Sequence, residues 1–310
     1  RRKARLGVRY VNKKDKVLVG FRERKSSFIT VMDRCEVLHP LLGDNLELLG
    51  ECIEKLSVKF HVPQIEVAIA ELDTILILRH LQSLTREDEI ILQEYGEKLK
   101  VTWYTQSGGL ETVKPLNEAV SLSYSLPDHD IKMTFLPTDF TQVNFELNQK
   151  MINLALQLLD LNKEDEVIDL FCGLGNFTLP ISRYVKSVVG IEGDSGLVER
   201  AKENASQNGV SNASFYKADL FEDVSGFEWF RGKKYSKALI DPARSGAIEI
   251  VELLPKLDVE RLVYVSCNPS TLARDTSRLI DLGFTLSSAG VMDMFPQTAH
   301  VESIALFLKK

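Results

Sequence analysis

The sequence predicts an α/β chain in two parts. An open, mostly parallel sheet covered by helices spans residues 139–310, and a smaller α+β domain spans residues 1–138. Three observations carry this reading. The length, 310 residues, exceeds what one hydrophobic core usually holds. From about residue 139, compact apolar strands alternate with segments of helical periodicity, as right-handed crossovers require. Before that border the strands come in pairs around polar turns, which is the pattern of antiparallel pairing.

Taken in order, residues 5–11 and 17–22 alternate polar and apolar around the turn Asn12-Lys13-Lys14-Asp15 and read as a hairpin. Leu42, Leu46, Leu49, Ile53 and Leu56 recur at helical spacing and predict one helix over 41–60. Residues 65–72 and 75–80 flank Asp73-Thr74 as a second hairpin, and 86–100 is a further helix. Residues 107–130, interrupted by Gly108-Gly109, Pro115 and Pro127, are loops and short strands. In the second part, 148–159 is an amphipathic helix with Met151, Leu154, Ala155 and Leu158 in phase. Strands at 166–171, 187–191, 213–216, 237–240 and 261–265 then alternate with helices at 177–184, 196–208, 248–256 and 272–282. Two last strands, 285–289 and 302–308, have no helix between them, which places an antiparallel hairpin at one edge of the sheet. The layout is that of a Rossmann-like class I methyltransferase sheet more than of a two-halved dinucleotide fold.

Four scattered cysteines rule out a disulfide scaffold and point to a reducing, cytoplasmic setting. No apolar run approaches the ~18–20 residues of a membrane span, so no membrane partner is expected. The first residues, Arg1-Arg2-Lys3, are no signal sequence, and with no initiator Met the chain reads as a fragment whose natural N-terminus lies upstream. The net charge of −6 hides an asymmetry, because residues 1–25 hold eleven Lys and Arg against Asp15 and Glu23. A basic segment on an acidic body fits a nucleic-acid contact, and it fits equally the solvated face of alternating strands.

Ligands of an open α/β sheet bind outside the carboxyl ends of its strands, so those ends are where chemistry is sought. The first strand delivers Phe171-Cys172-Gly173-Leu174-Gly175-Asn176-Phe177, whose glycines let the backbone turn and approach a ligand. Thr178 stands where a dinucleotide fingerprint needs a third Gly, which argues against hydride chemistry; a plain tight turn is the competing reading. The second strand ends in Glu192, nineteen positions after Gly173, where an acid can accept both ribose hydroxyls of an adenosine-containing ligand. Asp219 follows the third strand and suits either an adenine edge or a cap. Asp241-Pro242-Ala243-Arg244 follows the fourth, without the second Pro and aromatic residue of exocyclic-amine methylation.

The fifth strand ends Ser266-Cys267-Asn268-Pro269. Most such cysteines are small buried hydrophobes, but a thiol at the cleft end of a central strand can add to an electron-poor ring and activate the neighbouring carbon. Glu302 shares strand phase with Ile304, Leu306 and Leu308, so its carboxyl projects from an apolar face. Such surroundings raise its pKa and suit a proton acceptor; a strand-end Glu reaching solvent is the alternative.

Six ordered motifs together resemble the RNA uracil-5-methyltransferases: Asp139-Phe140-Thr141-Gln142-Val143-Asn144, residues 169–177, Ile191-Glu192-Gly193, Asp241-Pro242-Ala243-Arg244, Ser266-Cys267-Asn268-Pro269, and Asp293-Met294-Phe295-Pro296 with His300-Val301-Glu302-Ser303. The resemblance covers the whole chain, more strongly from Asp139 onward, and fits the branch acting on 23S ribosomal RNA. It implies S-adenosylmethionine as cofactor, held by Gln142, Phe171, Gly173, Asn176, Glu192, Asp219 and Asp241. The family's usual residue at position 219 is Asn. It implies Cys267 as the nucleophile adding to C6 of uracil and Glu302 as the base removing the C5 proton. It further implies a monomer whose 1–138 domain contacts RNA. The family's ribosomal enzyme also carries a [4Fe–4S] cluster on four cysteines; Cys35 looks like the fourth, the other three are absent, and a cluster is expected only in the full-length protein. A cytosine-5 enzyme would place a second Cys beside Pro242, which this chain lacks. A transfer-RNA uracil-5-methyltransferase and a non-catalytic RNA-binding assembly factor are the remaining alternatives.

Overall fold

A computed structural model describes residues 1–309. Its first strands, β1 (Lys3–Val11) and β2 (Lys16–Gly20), pair antiparallel around a short 3₁₀ turn. Leu6, Val8, Val17 and Val19 turn inward, onto a core shared with the helical segments that follow. Those segments are two helices, α1 (Pro40–Gly43) and α2 (Leu46–Lys55), where the periodicity over 41–60 predicts one. The helical spacing survives, but Asp44 and Asn45 interrupt the backbone, and Asn45 Nδ2 donates back to the Leu41 carbonyl at 2.9 Å. Short polar side chains offer the backbone such local alternatives to helix.

β3 (Gln64–Ile69) and β4 (Thr74–Arg79) form the second hairpin. Helix α3 (Arg86–Leu99) opens on a capping box between Thr85 and Asp88 and returns the chain to β5 (Thr102–Gln106), parallel to β4. With β6 (Lys114–Pro115) at the edge, the sheet order is β2-β1-β3-β4-β5-β6. The two-stranded sheet of β7 (Leu122–Leu126) and β8 (Ile131–Phe135) follows. The chain divides into two compact units, one of residues 1–124 with 135–143 and one of residues 125–134 with 144–310.

The second unit opens with α4 (Phe145–Leu159), whose Asn144 cap accepts the Leu147 N–H. It continues through β9 (Glu166–Leu170), α5 (Thr178–Ser182), β10 (Ser187–Glu192), α6 (Ser195–Gln207), β11 (Ala213–Lys217) and β12 (Lys237–Ile240). The helix expected over 248–256 is α7 (Ile248–Val251) followed by a 3₁₀ turn that begins at Leu254-Pro255, where Pro255 lacks the N–H a continuing helix needs. Then come β13 (Arg261–Ser266), α8 (Pro269–Asp281), β14 (Phe284–Met292) and β15 (Glu302–Lys309).

The sheet order is β11-β10-β9-β12-β13-β15-β14, with the five strands from β11 to β13 parallel. The expected edge hairpin is present with a refinement: β15 inserts between β13 and β14, antiparallel to both. Burial explains the order. Six of the eight β15 residues, from Glu302 to Phe307, are buried, whereas β14 is exposed from Thr285 to Val291. The strand with the longer buried run therefore takes the interior place, and the one carrying Thr285, Ser287 and Ser288 the rim. The strand order reverses between β9 and β12, the switch point at which such sheets bind ligands.

Gly190 on β10 is fixed by packing. A Cβ there would lie 2.8 Å from Phe215 and 2.9 Å from Cys172 Sγ. Gly190→Ala is expected to destabilise the chain by about 1–3 kcal/mol, as overpacking does in rigid cores. Urea denaturation measures this, and an unchanged midpoint would refute it.

Candidate active site at the strand ends

Strand register lines up the carboxyl ends. Leu170 of β9 pairs Ile191 on one side and Ile240 on the other, and Ile240 pairs Tyr264 of β13. The residues that follow, Phe171, Glu192 and Asp241, therefore form one row, level with Val265, and Cys267 stands two positions further along the β13 path. Because β15 runs the opposite way, its first residue comes to the same end of the sheet as Cys267. Ser266 pairs Ser303, and continuing the register by one position sets Cys267 opposite Glu302.

At the β9 end the backbone turns through Phe171 (φ 66°), Gly173 (φ 55°) and Gly175 (φ 89°). A Cβ at Gly173 would meet nothing within 4 Å, so open space faces this turn. The Glu192 carboxylate closes it from the side, accepting the Gly173 and Asp194 N–H groups at 3.0 Å each. An adenosine-bearing ligand fits this cradle: clear space over a glycine, a fixed carboxylate for hydroxyls, and the Phe171 ring beside Phe221 at 5.8 Å. Asn176 exchanges two amide hydrogen bonds of 3.0 Å with Asn148 of α4. Asp219 is exposed, and its Oδ1 accepts the Phe221 N–H at 3.0 Å, holding the loop that carries that ring. Gln142 lies in the 135–143 segment of the first unit, half-buried.

Glu302 is 2% exposed, and burial, with Asp241 adding to it, pushes its carboxyl up to about 8. Burial likewise holds Asp241 at about 7. The half-buried Cys267 thiol is raised by burial, then by Glu302 and Asp241, while Arg244 pulls it down. The mutual fields of these groups agree with the register: thiol, carboxyl and guanidinium share one small region. Arg244 also approaches both ring nitrogens of His300, at 3.1 and 3.3 Å, and its carbonyl accepts from Asn268 Nδ2 at 3.0 Å. Cys172, by contrast, is fully enclosed and burial drives its thiol well above the ordinary value, which leaves it inert.

Two side chains that sequence reasoning missed stiffen this region. Asp275 of α8 is fully buried and accepts the Ala247 N–H at 2.8 Å, the Tyr264 hydroxyl at 2.6 Å and Arg274 Nε–H at 2.8 Å, tying the loop after β12 to β13, the strand that leads into Cys267. Asn148, 1% exposed, orients Asn176. Both have a sequence signal. Asp275 sits in phase with Leu272 and Leu279, and Asn148 with Met151, Ile152 and Ala155, so each is a polar residue on the apolar stripe of a helix.

Cys35 lies in the loop before α1 of the first unit. Among the described residues no group of three or more His, Cys, Asp or Glu is placed to hold a metal, so the residues present do not fit an iron–sulfur cluster. Among them, too, no helix is long and apolar enough to cross a membrane.

Asp169 adds a third raised carboxyl. It is fully buried, accepts the Thr178 hydroxyl at 2.5 Å through one oxygen, leaves the other unpartnered, and is pushed by burial to about 7. Asp169, Asp241 and Glu302 thus keep their protons to higher pH in the folded chain than the ordinary 3.8 to 4.5. Where the native state binds more protons than the unfolded one, stability falls as pH rises. The melting temperature is therefore expected to be highest near pH 5 and to drop by several degrees as pH climbs through about 7 to 8. Asp169→Asn should flatten that decline in a scanning calorimetry series, and a melting temperature that rises over this range would contradict the assignment.

Comparison with known proteins places this geometry. The sequence model of the tRNA (Uracil-5-)-methyltransferase family matches residues 70–310. A 23S rRNA (uracil(1939)-C(5))-methyltransferase RlmD of Vesicomyosocius okutanii is 69% identical over the whole chain, which spans 71% of that relative. The protein of that name from Stenotrophomonas maltophilia is 50% identical, again over the whole chain and 70% of the relative. Among solved structures, a Pyrococcus abyssi tRNA (uracil-54, C5)-methyltransferase in complex with S-adenosyl-L-homocysteine shares the fold, with a TM-score of 0.76 at 23% identity over 99% of this chain and 76% of that one.

Proposed function

The chain belongs to the RNA uracil-5-methyltransferase family, and from that premise we propose that it methylates C5 of a specific uridine in 23S ribosomal RNA through a transient bond between Cys267 and C6. The observation that carries the reading is the placement of Cys267 opposite Glu302 at the junction of β13 and β15, beside Asp241. S-adenosylmethionine, when bound, supplies an electrophilic methyl group, and Phe171, Gly173, Asn176, Glu192, Asp219 and Asp241, with Gln142, are the residues assigned to hold it.

The chain's own groups have distinct tasks. The Cys267 thiolate adds to C6 of uracil, which moves the C5–C6 electron pair onto C5 and O4 and makes C5 nucleophilic. Arg244, whose charge favours the thiolate, assists that addition. Once C5 carries the new methyl group, Glu302 takes the C5 proton, and the electron pair left behind re-forms the C5–C6 double bond and expels Cys267. A carboxyl that titrates at about 8 is poised to accept and return a proton near neutral pH. Residues 139–310 form the catalytic domain in this reading and 1–138 the RNA-contacting one, with the uridine extruded from folded RNA to reach the thiol. The cytoplasm, where ribosomal RNA is modified, is the setting that follows.

The test is RNA carrying 5-fluorouridine at the target position. Fluorine cannot leave as a proton does, so wild-type chain with S-adenosylmethionine should form an RNA–protein adduct that survives denaturing electrophoresis. Tight RNA binding with no adduct would favour the assembly-factor reading, and an adduct on transfer RNA alone would favour the transfer-RNA enzyme.

A further inference from the structure

The charge asymmetry of the first 25 residues has a structural focus. Gly7 of β1 pairs Gly20 of β2, so the outward face of this hairpin carries two adjacent positions without side chains. The 22–29 segment fills that trench. A Cβ at Gly7 would lie 3.2 Å from Ile29 Cδ1 and 3.3 Å from Arg22 Cγ, and one at Gly20 would lie 3.1 Å from the Thr30 carbonyl. The segment is itself a small hairpin: Arg22 bridges Ile29, the Glu23 N–H donates to the Phe28 carbonyl at 3.0 Å, and the Thr30 N–H donates to that of Phe21 at 2.9 Å. Arg9 reaches across from β1 to donate to the Ser27 carbonyl at 3.2 Å.

Ile29, 7% exposed, anchors this hairpin, and its neighbour Phe28 turns the other way, 65% exposed. The same stretch of chain carries the exposed Arg9, Arg22, Arg24 and Lys25, none of which makes an ion pair among the described residues; Glu23 is the one acid of the segment. Elsewhere on the same sheet, Arg5 is paired with Glu66 at 2.9 Å and Lys16 with Glu47 at 3.5 Å. A seated hairpin that exposes one phenyl ring and carries unneutralised cations, on a chain of net charge −6, matches an anionic backbone bearing flat rings.

We propose that the 22–29 hairpin is a docking site for single-stranded RNA, its phosphates met by Arg9, Arg22, Arg24 and Lys25 and one base stacked on Phe28. The proposal rests on the reading of RNA as substrate and specifies the form it takes here. Bases in a duplex are stacked internally and closed to a side-chain ring, so the ring selects unpaired nucleotides.

Fluorescence anisotropy of the full chain with oligouridylate about twelve nucleotides long, and with duplex RNA of equal length, separates the two contributions. Phe28→Ala should weaken oligouridylate binding about tenfold while leaving its salt dependence and the duplex affinity unchanged, because stacking is a neutral contact. Arg24→Ala with Lys25→Ala should lower the slope of log Kd against log [KCl] by about 1.4, at roughly 0.7 per phosphate for single strands. Both variants change exposed side chains, and their melting curves should overlay the wild type. Wild-type affinity in either variant overturns the proposal. So does an equal loss on duplex RNA from Phe28→Ala, as expected of a surface for an acidic protein. Wild type that binds oligouridylate as described yet forms no 5-fluorouridine adduct sinks the catalytic reading and leaves this one standing.

Discussion

Cys267→Ala is expected to leave a chain that folds, binds S-adenosylmethionine and transfers no methyl group. The side chain is half-buried beside Arg244, so its loss removes little packing. In the proposed mechanism the thiol has no substitute: without the thiolate, C5 of uracil is not nucleophilic enough to react. Loss of a covalent nucleophile costs at least about 10³-fold in turnover, and the alanine form should fall by that much or more. Incorporation of labelled methyl into ribosomal RNA measures it, alongside binding of S-adenosylhomocysteine by calorimetry. Residual turnover above about one per cent of wild type would mean that the thiol is not the nucleophile. Cys172 cannot stand in for it, because it lies enclosed against Phe215 and Gly190.

Glu302→Gln is expected to fail later in the cycle. Addition and methylation need the thiol and the methyl donor, whereas release needs a base for the C5 proton. The amide should therefore form methylated RNA still bonded to Cys267 and turn over about 10²–10⁴-fold more slowly, the span that general-base removal covers. On ordinary uridine RNA the complex should persist through denaturing electrophoresis, where wild type leaves none. The pH dependence follows the same logic with a definite sign. The base acts when ionised, so release in wild type should rise with pH up to about 8 and then level. Glu302→Gln should lose that rise. A variant that releases product at the wild-type rate would assign proton removal to another group, Asp241 first.

The arrangement of the candidate site was legible where its residues sit at strand ends, because strands of β-branched and aliphatic residues announce themselves and the residue after each is easily read. Gly173, Glu192, Asp241 and Cys267 all belong to that set. Asp275 and Asn148 were passed over because the helices were read for their apolar stripe alone, although a polar residue inside that stripe is the signal that marks each of them. The interruption of the first helical segment at Asp44–Asn45 was equally invisible to periodicity, which two short helices in phase satisfy as well as one long helix. Composition marked residues 1–25 as basic but not where the charge is concentrated. That depends on Gly7 facing Gly20, a pairing set by hairpin register.

The wedging of β15 between two antiparallel neighbours bears on how such an enzyme can be adjusted over evolutionary time. Side chains alternate along a strand, so a slip of two positions would keep every inward residue of β15 inward while carrying Glu302 one full repeat, roughly 7 Å, along its neighbour. The connection from 293 to 301 decides where that strand starts. Lengthening or shortening it by two residues can therefore move the proton acceptor relative to the sulfur with little change to the interior, so the span between the two partners is inherited through a loop.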